Sequence, residues 1–141
     1  MNQALQQAAT VTFEEMGYMF PLERDADSEL NVKDCLSVAI DFTGPMSGKF
    51  VLRIEREVLP LAAANMLGEE APFEDEMLRD IAGEIANVIC GNALPAIGGK
   101  NAVFDLSAPH ITTQTNSPEK TSAEAKLEMD EGRADILLYL N

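Results

Sequence analysis

Residues 80–95 form the most informative stretch of the 141-residue chain and read Asp-Ile-Ala-Gly-Glu-Ile-Ala-Asn-Val-Ile-Cys-Gly-Asn-Ala-Leu-Pro. Apolar residues recur along this stretch at the spacing of one helix face. Asp80, Glu84 and Asn87 follow one another at intervals of four and three residues. At about 100° per residue, these three side chains fall within a sector of roughly 60° on the helix. The stretch therefore predicts a buried helix whose other face presents acids and an amide together.

The long helix is expected to run from about Phe73 to Leu94, with Pro95 and Gly98-Gly99 marking its end. The side chain of Asn92 falls nearer the apolar side of the helix, and we expect it to cap the helix end. The apolar stripe that should face the core consists of Leu78, Ile81, Ile85, Val88 and Ile89, widened by Ala82, Ala86 and Ala93.

Outside the long helix, two more helices are predicted, one at the start of the chain and a short one in its middle. Strands are predicted both before and after the short helix. The predicted elements are a helix at 2–18, a loop at 22–32, a strand at 35–43, a turn at 44–48, a strand at 49–55, a helix at 57–67, strands at 102–106 and 110–115 broken at 107–109, a turn at 116–119, and a hairpin of 123–129 with 134–140. This order predicts an α+β fold, in which a mostly antiparallel β-sheet packs with about three α-helices. The length favours a single domain over residues 1–141.

The charge balance excludes several classes of partner. The net charge is −14, with 24 acidic against 10 basic residues. Sequence-independent binding of nucleic acid or of an anionic membrane needs clustered Lys and Arg, so we expect neither. The N-terminus lacks the basic start and apolar block of a signal peptide, and no apolar run approaches the ~18 residues that span a bilayer. A soluble, cytoplasmic protein is expected.

The cysteines and the histidine are poor candidates for a catalytic or metal-binding site. Cys35 and Cys90 lie within apolar segments, which favours buried thiols over a disulfide or a catalytic thiol. A histidine-based metal site or a nucleophilic relay would have to depend on His110, the single histidine of the chain. We expect no metal site.

The residues on the polar face of the long helix can be read in two ways. Exposed helix faces commonly carry acids and amides, so the Glu84-x-x-Asn87 spacing alone is weak evidence for a function. Asn is a mediocre helix former, however, and Gly83 and Gly91 each cost about 1 kcal/mol relative to Ala. Gly91 lies on the same face as Glu84, where a missing side chain lets a partner approach. Tight helix–helix packing is the alternative explanation for both glycines.

Asp80-x-x-x-Glu84-x-x-Asn87, followed by Pro109, resembles the signature of the chemotaxis phosphatase family that includes CheC, CheX and FliY proteins. The continuation Val-Ile-Cys-Gly-Asn-Ala-Leu at residues 88–94 is also similar to that family's helix. A single copy of the motif resembles the CheX-like members. Pro109 lies one residue closer to the Asn than in the family pattern. The first helix offers Glu14 and Glu15 but no Asn three residues after either of them, so we do not expect a second active face.

The resemblance implies that the chain hydrolyses the aspartyl phosphate of a CheY-type receiver domain. Asn87 would align the attacking water, and Glu84 would engage a Lys of the receiver. Asp80 and Gly91 would belong to the partner-binding face, with the role of Asp80 less defined. The receiver would supply the Mg²⁺, so the phosphatase would need no cofactor of its own. The resemblance also implies a homodimer with a shared sheet.

Two alternatives remain at this point. A non-catalytic module could dock a phosphorylated receiver through the same helix face, although docking alone does not need a water-orienting amide. A dimeric scaffold formed by pairing of edge strands is the second alternative, and it is compatible with catalysis.

Overall fold

The computed structural model describes residues 1–23, 30, 32–99, 101–112 and 120–141. Within these residues the chain forms three α-helices, one short 3-10 helix (Val32–Asp34) and seven strands, which confirms the predicted α+β class. The helices are α1 (Asn2–Gly17), α2 (Val58–Leu67) and α3 (Asp75–Gly98). The strands are β1 (Leu22–Glu23), β2 (Cys35–Thr43), β3 (Gly48–Glu55), β4 (Asp105–Leu106), β5 (His110–Ile111), β6 (Ala123–Met129) and β7 (Gly132–Leu140).

The strands form one antiparallel sheet in the order β1-β6-β7-β3-β2-β4, with β5 also paired to β2. The predicted hairpin of β2 and β3 is confirmed, with pairing from Cys35 opposite Glu55 to Phe42 opposite Gly48. The predicted hairpin of β6 and β7 is confirmed as well. Alternating apolar residues fix these registers because a slip by one residue would turn every core side chain to the opposite face.

The helices cover one face of the sheet. The alternate residues Leu36, Val38, Ile40 and Phe42 of β2 belong to the same buried cluster as the apolar residues of all three helices. Ala39, Val51 and Leu137 face the other way and form a small separate cluster. The sheet therefore has one face that packs against the helices and an opposite face with its own small apolar cluster.

A partly buried ion pair joins β3 to β7 on that opposite face. The Arg133 Nη2 and the Glu55 Oε2 are 3.0 Å apart, and the Arg133 Nε donates to Glu55 Oε1 at 3.1 Å. The backbone N–H of Arg133 donates to the same Oε1 at 2.7 Å. This pairing raises the pKa of the Arg133 guanidinium, chiefly through the side-chain hydrogen bond to Glu55.

The end of α3 differs from the prediction, because the helix continues through Pro95 to Gly98. Pro95 has no N–H to donate to the Gly91 carbonyl, so the helix loses one hydrogen bond there. The N–H of Gly99 still donates to the Pro95 carbonyl at 2.9 Å, and Leu94 is buried in the core. The expectation that Asn92 caps the helix was wrong, since six helical residues follow it.

The short strands were also predicted imperfectly. The stretch expected as a loop at 22–32 begins with β1, which pairs with Glu128 and Leu127 of β6. A strand of two residues is too short to show a periodic pattern in the sequence. β1 therefore forms because it pairs with β6, and the sequence alone does not predict it. β4 and β5 are shorter than the strands expected at 102–106 and 110–115. The end of the latter strand at 113–115, the turn at 116–119, and residues 24–29 and 31 of the loop lie outside the described residues.

Candidate functional site

The polar face of α3 is exposed to solvent over three turns. Asp80, Glu84, Asn87 and Gly91 are all exposed. The opposite side of the same turns is buried, and its core residues are Ile81, Ala82, Ile85, Ala86, Ile89 and Cys90. A helix whose one side is locked in the core cannot rotate, so the exposed side chains project from a rigid support. The structure therefore brings all four predicted site residues to one surface.

The segment from β4 to β5 lies next to α3. β4 pairs with the end of β2, and β5 pairs with its middle, at Ala39 opposite His110. Pro109 stands between these pairings and approaches Gly83, where an added Cβ would lie 3.4 Å from the Pro109 Cβ. Gly83 therefore accommodates this connecting segment, and the expected alternative of helix–helix packing does not describe its contact.

A groove with a cavity volume of about 620 Å³ lies between α3 and the 105–112 segment. Asp80, Glu84 and Asn87 line one wall, together with Glu76 and Arg79 of the preceding turn. The other wall is largely apolar and is formed by Leu106, Ser107, Ala108, Pro109 and Ile111. The groove therefore combines carboxylates, an amide and one guanidinium on one side with a mostly apolar surface on the other.

Gly91 lies outside this groove, one turn beyond Asn87 on the same helix face. A Cβ added to Gly91 would meet nothing within 4 Å. The packing of the chain itself therefore gives no reason for a glycine at this position, in contrast to Gly83.

Sequence reasoning missed several residues of the groove. Glu76 precedes Asp80 by four residues, so the spacing that joined Asp80 to Glu84 could have identified it. Ser107 and Ile111 could not be found in this way, because their place beside α3 depends on the pairing with β2. Arg79 is adjacent to Asp80 in sequence and lines the same groove.

The groove wall on α3 has the chemical groups to bind a cationic side chain and to orient a water. Carboxylates accept charge-assisted hydrogen bonds from Lys or Arg. The carboxamide of Asn87 both donates and accepts hydrogen bonds while remaining neutral, so it can lie close to a polyanion that a carboxylate would repel. Glu84 and Asn87 are three residues apart and therefore neighbours on the helix surface.

The cysteines contribute no accessible nucleophile. Cys35 and Cys90 are free and buried, which confirms the prediction of buried thiols. Burial raises the pKa of the Cys90 thiol to about 12. The pKa of Cys35 rises to about 11, through burial and then through the negative charges of Glu55 and Asp135. Both thiols are therefore protonated near neutral pH.

His110 lies exposed in β5, on the strand that follows Pro109. Within the ranges that the structure describes, no group of three His, Cys, Asp or Glu side chains is arranged to hold a metal ion.

Among the described residues, α3 is long and apolar enough to cross a membrane by length and composition alone. Half of its most apolar window (50%) is buried inside the protein. The sequence-based expectation differed because it counted only uninterrupted apolar residues, and Glu84 and Asn87 interrupt the apolar run of α3.

The fold is that of solved CheX proteins. The chain matches a chemotaxis protein CheX from Desulfovibrio desulfuricans with a TM-score of 0.76 and 17% identity, over 99% of this chain and 97% of that one. It matches the Borrelia burgdorferi CheX–CheY–BeF3–Mg complex with a TM-score of 0.68 and 18% identity, over 99% and 96% of the two chains. Thermotoga maritima FliY matches with a TM-score of 0.60 and 18% identity, over 95% and 83%.

The family model described as chemotaxis phosphatase CheX matches residues 36–129, which is more than half of the chain. That match includes α3 and the segment that carries Pro109. The chain belongs to the CheX family, as the residues of α3 indicated. A comparison with curated protein sequences gave no match.

Proposed function

We propose that this protein is an aspartyl-phosphate phosphatase that acts on a CheY-type receiver domain. Membership of the CheX family supports a phosphatase-type role. A similar structure contains CheX together with CheY, BeF3 and Mg, which supports a receiver as the partner. The observation that carries the proposal is the groove in which Glu84 and Asn87 stand exposed on a rigid helix.

In the proposed reaction, Asn87 positions the water that attacks the phosphorus in line with the bond to the receiver's aspartate. The water oxygen forms a new bond to phosphorus as the bond to the aspartate oxygen breaks. Inorganic phosphate leaves, and the receiver's carboxylate is regenerated. The receiver supplies the Mg²⁺ that neutralises the phosphoryl oxygens, so the phosphatase contributes positioning.

Glu84 has a binding role in this proposal. Its carboxylate accepts a charge-assisted hydrogen bond from the receiver's Lys and thereby fixes the docked orientation. Asp80 lies one turn earlier in the same groove wall and supports the negative charge of that surface. Gly91 leaves open space on the same helix face, since a Cβ there would meet nothing within 4 Å, and the receiver backbone can approach α3 at this point.

We expect the Glu84→Ala, Asn87→Ala double variant to lose accelerated phosphate release while its fold is retained. Loss of water positioning alone lowers the rate on the order of 100-fold. Removing exposed side chains changes the free energy of unfolding by about 0.5 kcal/mol or less. The measurement is phosphate release from a panel of phosphorylated receivers of the same organism, with unfolding in urea measured in parallel.

The matched control is Glu15→Ala with Asn92→Ala. These residues are also an exposed acid and an exposed amide on α1 and α3, but they line the surface between those two helices. The control should release phosphate at the wild-type rate. If the groove double variant also dephosphorylates the cognate receiver normally, the assignment of Glu84 and Asn87 is wrong. Phosphate-dependent binding without release would identify a non-catalytic receiver-binding module.

A homodimer is part of the proposal, with its contact at β1. Tyr18, Phe20 and Leu22 are 68%, 75% and 73% exposed, and the residues between them are buried. We call these three side chains the edge patch. The edge patch leads into β1, the strand at one end of the sheet. Exposed apolar groups beside an edge strand suit pairing with a second copy of the chain. We place this protein in the cytoplasm, where receiver domains are phosphorylated.

A further inference from the structure

Ser107 attaches the 105–112 segment to β2 at the point where β4 has ended and β5 has not begun. The backbone N–H of Ser107 donates to the Asp41 carbonyl at 2.8 Å. In return, the backbone N–H of Asp41 donates to the Ser107 Oγ at 2.9 Å. The Ser107 hydroxyl also donates to the Ala108 carbonyl at 3.2 Å. Between β4 and β5 the strand pairing with β2 is interrupted. The Ser107 hydroxyl there accepts the hydrogen bond from the Asp41 N–H that a strand carbonyl would otherwise accept.

This attachment determines how closely the segment approaches α3. Pro109 follows Ser107 by two residues and lies against Gly83, next to Glu84 in the helix. β4 and β5 each pair with β2 over two residues only, so few other bonds hold the segment. Beyond the β5 pairing, the Thr112 N–H donates to the Ser37 carbonyl at 3.0 Å.

We propose that Ser107 is a positioning residue for the phosphatase reaction. It holds the apolar wall of the groove, formed by Ala108, Pro109 and Ile111, at the distance from α3 that admits the receiver. Ser107 acts through Pro109 and does not contact the reacting atoms. This inference rests on the proposed function, because it assigns the second wall of the same groove to receiver docking.

Because the apolar wall is exposed, its position affects partner binding as well as folding. Pro109 is exposed, and Ile111 is 41% exposed although it is a large apolar residue. Such a surface beside a charged wall suits a partner that carries a Lys next to apolar side chains. If the wall moves away from α3, the receiver cannot contact Pro109 and Glu84 at the same time. Weaker docking should therefore raise KM more than it lowers kcat.

Ser122 provides a matched control on another part of the sheet. Its backbone N–H donates to the Leu138 carbonyl at 2.7 Å, and its Oγ accepts from the Leu140 N–H at 3.0 Å. Ser122 therefore makes the same two kinds of bond to β7 that Ser107 makes to β2. It precedes β6 and does not line the groove. Replacing either serine by alanine removes one acceptor of a strand N–H.

The experiment compares Ser107→Ala, Ser107→Thr and Ser122→Ala with the wild-type protein. KM and kcat are measured for phosphate release from a phosphorylated receiver, and hydrogen exchange is measured at the Thr112 amide. We expect Ser107→Ala to raise KM about tenfold with kcat nearly unchanged, and to speed Thr112 exchange at least tenfold. Ser107→Thr keeps the Oγ acceptor and should restore both values. Ser122→Ala should lower the urea midpoint similarly but leave both values at wild type.

Equal KM values for Ser107→Ala and Ser122→Ala would overturn the positioning role. Unchanged Thr112 exchange in Ser107→Ala would overturn it too, because the wall would then be held without the side chain. A wild-type protein that releases no phosphate from any receiver would contradict the proposed function itself. In that case the exchange measurement still decides whether Ser107 holds the wall.

Discussion

Asn87 and Asn92 are both exposed amides on α3, five residues apart. Asn87 lines the groove beside Pro109, whereas Asn92 lines the surface between α1 and α3. The helical period placed Asn87 correctly next to Glu84 from the sequence alone. It failed for Asn92 because the helix end was predicted too early, which gave that residue a capping role. A single residue is therefore interpreted correctly only when the extent of its helix is known.

Gly91 gives a test at the scale of one residue. Gly91→Ala should stabilise the isolated protein by about 1 kcal/mol, since Ala is the better helix former and its Cβ meets no neighbour. Gly91→Leu should fold normally but raise the Kd for the receiver at least tenfold if the partner approaches here. Urea unfolding measures the first effect, and titration of a BeF3-activated receiver measures the second. A Gly91→Leu protein that binds like wild type would remove Gly91 from the partner-binding face.

The elements with a clear period were predictable, and the aperiodic ones were not. The strand alternation of β2, β3, β6 and β7 and the helical stripe of α3 gave the main architecture. β1 contains two residues, so its existence depends on a partner that is about 100 residues away in sequence. Pro95 favours a helix end, but burial of Leu94 and the hydrogen bond from Gly99 outweigh its missing N–H. Tertiary packing decided each of these cases.

The ion pair between β3 and β7 gives a test at the scale of elements. Glu55→Ala should lower the free energy of unfolding by about 2–4 kcal/mol, because it removes the buried carboxylate that accepts three hydrogen bonds from Arg133. Glu128→Ala is the control, since Glu128 is exposed and lies opposite Arg133 on β6. It should cost about 0.5 kcal/mol or less. Chemical denaturation of both variants checks the difference, and equal losses would contradict a structural role for the Glu55 pair.

At the scale of the whole molecule, the groove joins two parts of the chain that are about 20 residues apart. The α3 wall was predictable, because Asp80, Glu84 and Asn87 lie on one helix and follow its period. The wall that carries Ser107 and Ile111 was not predictable, because its distance from α3 depends on how the segment pairs with β2. Pro109 was noted from its spacing to Asn87, but its contact with Gly83 required the folded chain.

The proposed homodimer is tested by changing the edge patch. Phe20→Glu should convert the dimer to a monomer, because it places a charge in the centre of the apolar contact. Val103→Glu is the control: Val103 is 79% exposed but lies just before β4, at the other end of the sheet. Light scattering gives the molar mass of each protein. A wild-type monomer would contradict the dimer, and a dimeric Phe20→Glu protein would place its contact elsewhere.

The sheet order has a consequence for such an assembly. β1 lies at one end of the sheet, and β2, which borders the groove, lies near the other end. With neighbouring strands about 4.8 Å apart, four spacings separate them by roughly 19 Å within each subunit. Two copies joined at β1 would thus carry their grooves at opposite extremities, without steric conflict between captured ligands. The assembly would be bivalent and would gain avidity for targets that are themselves clustered.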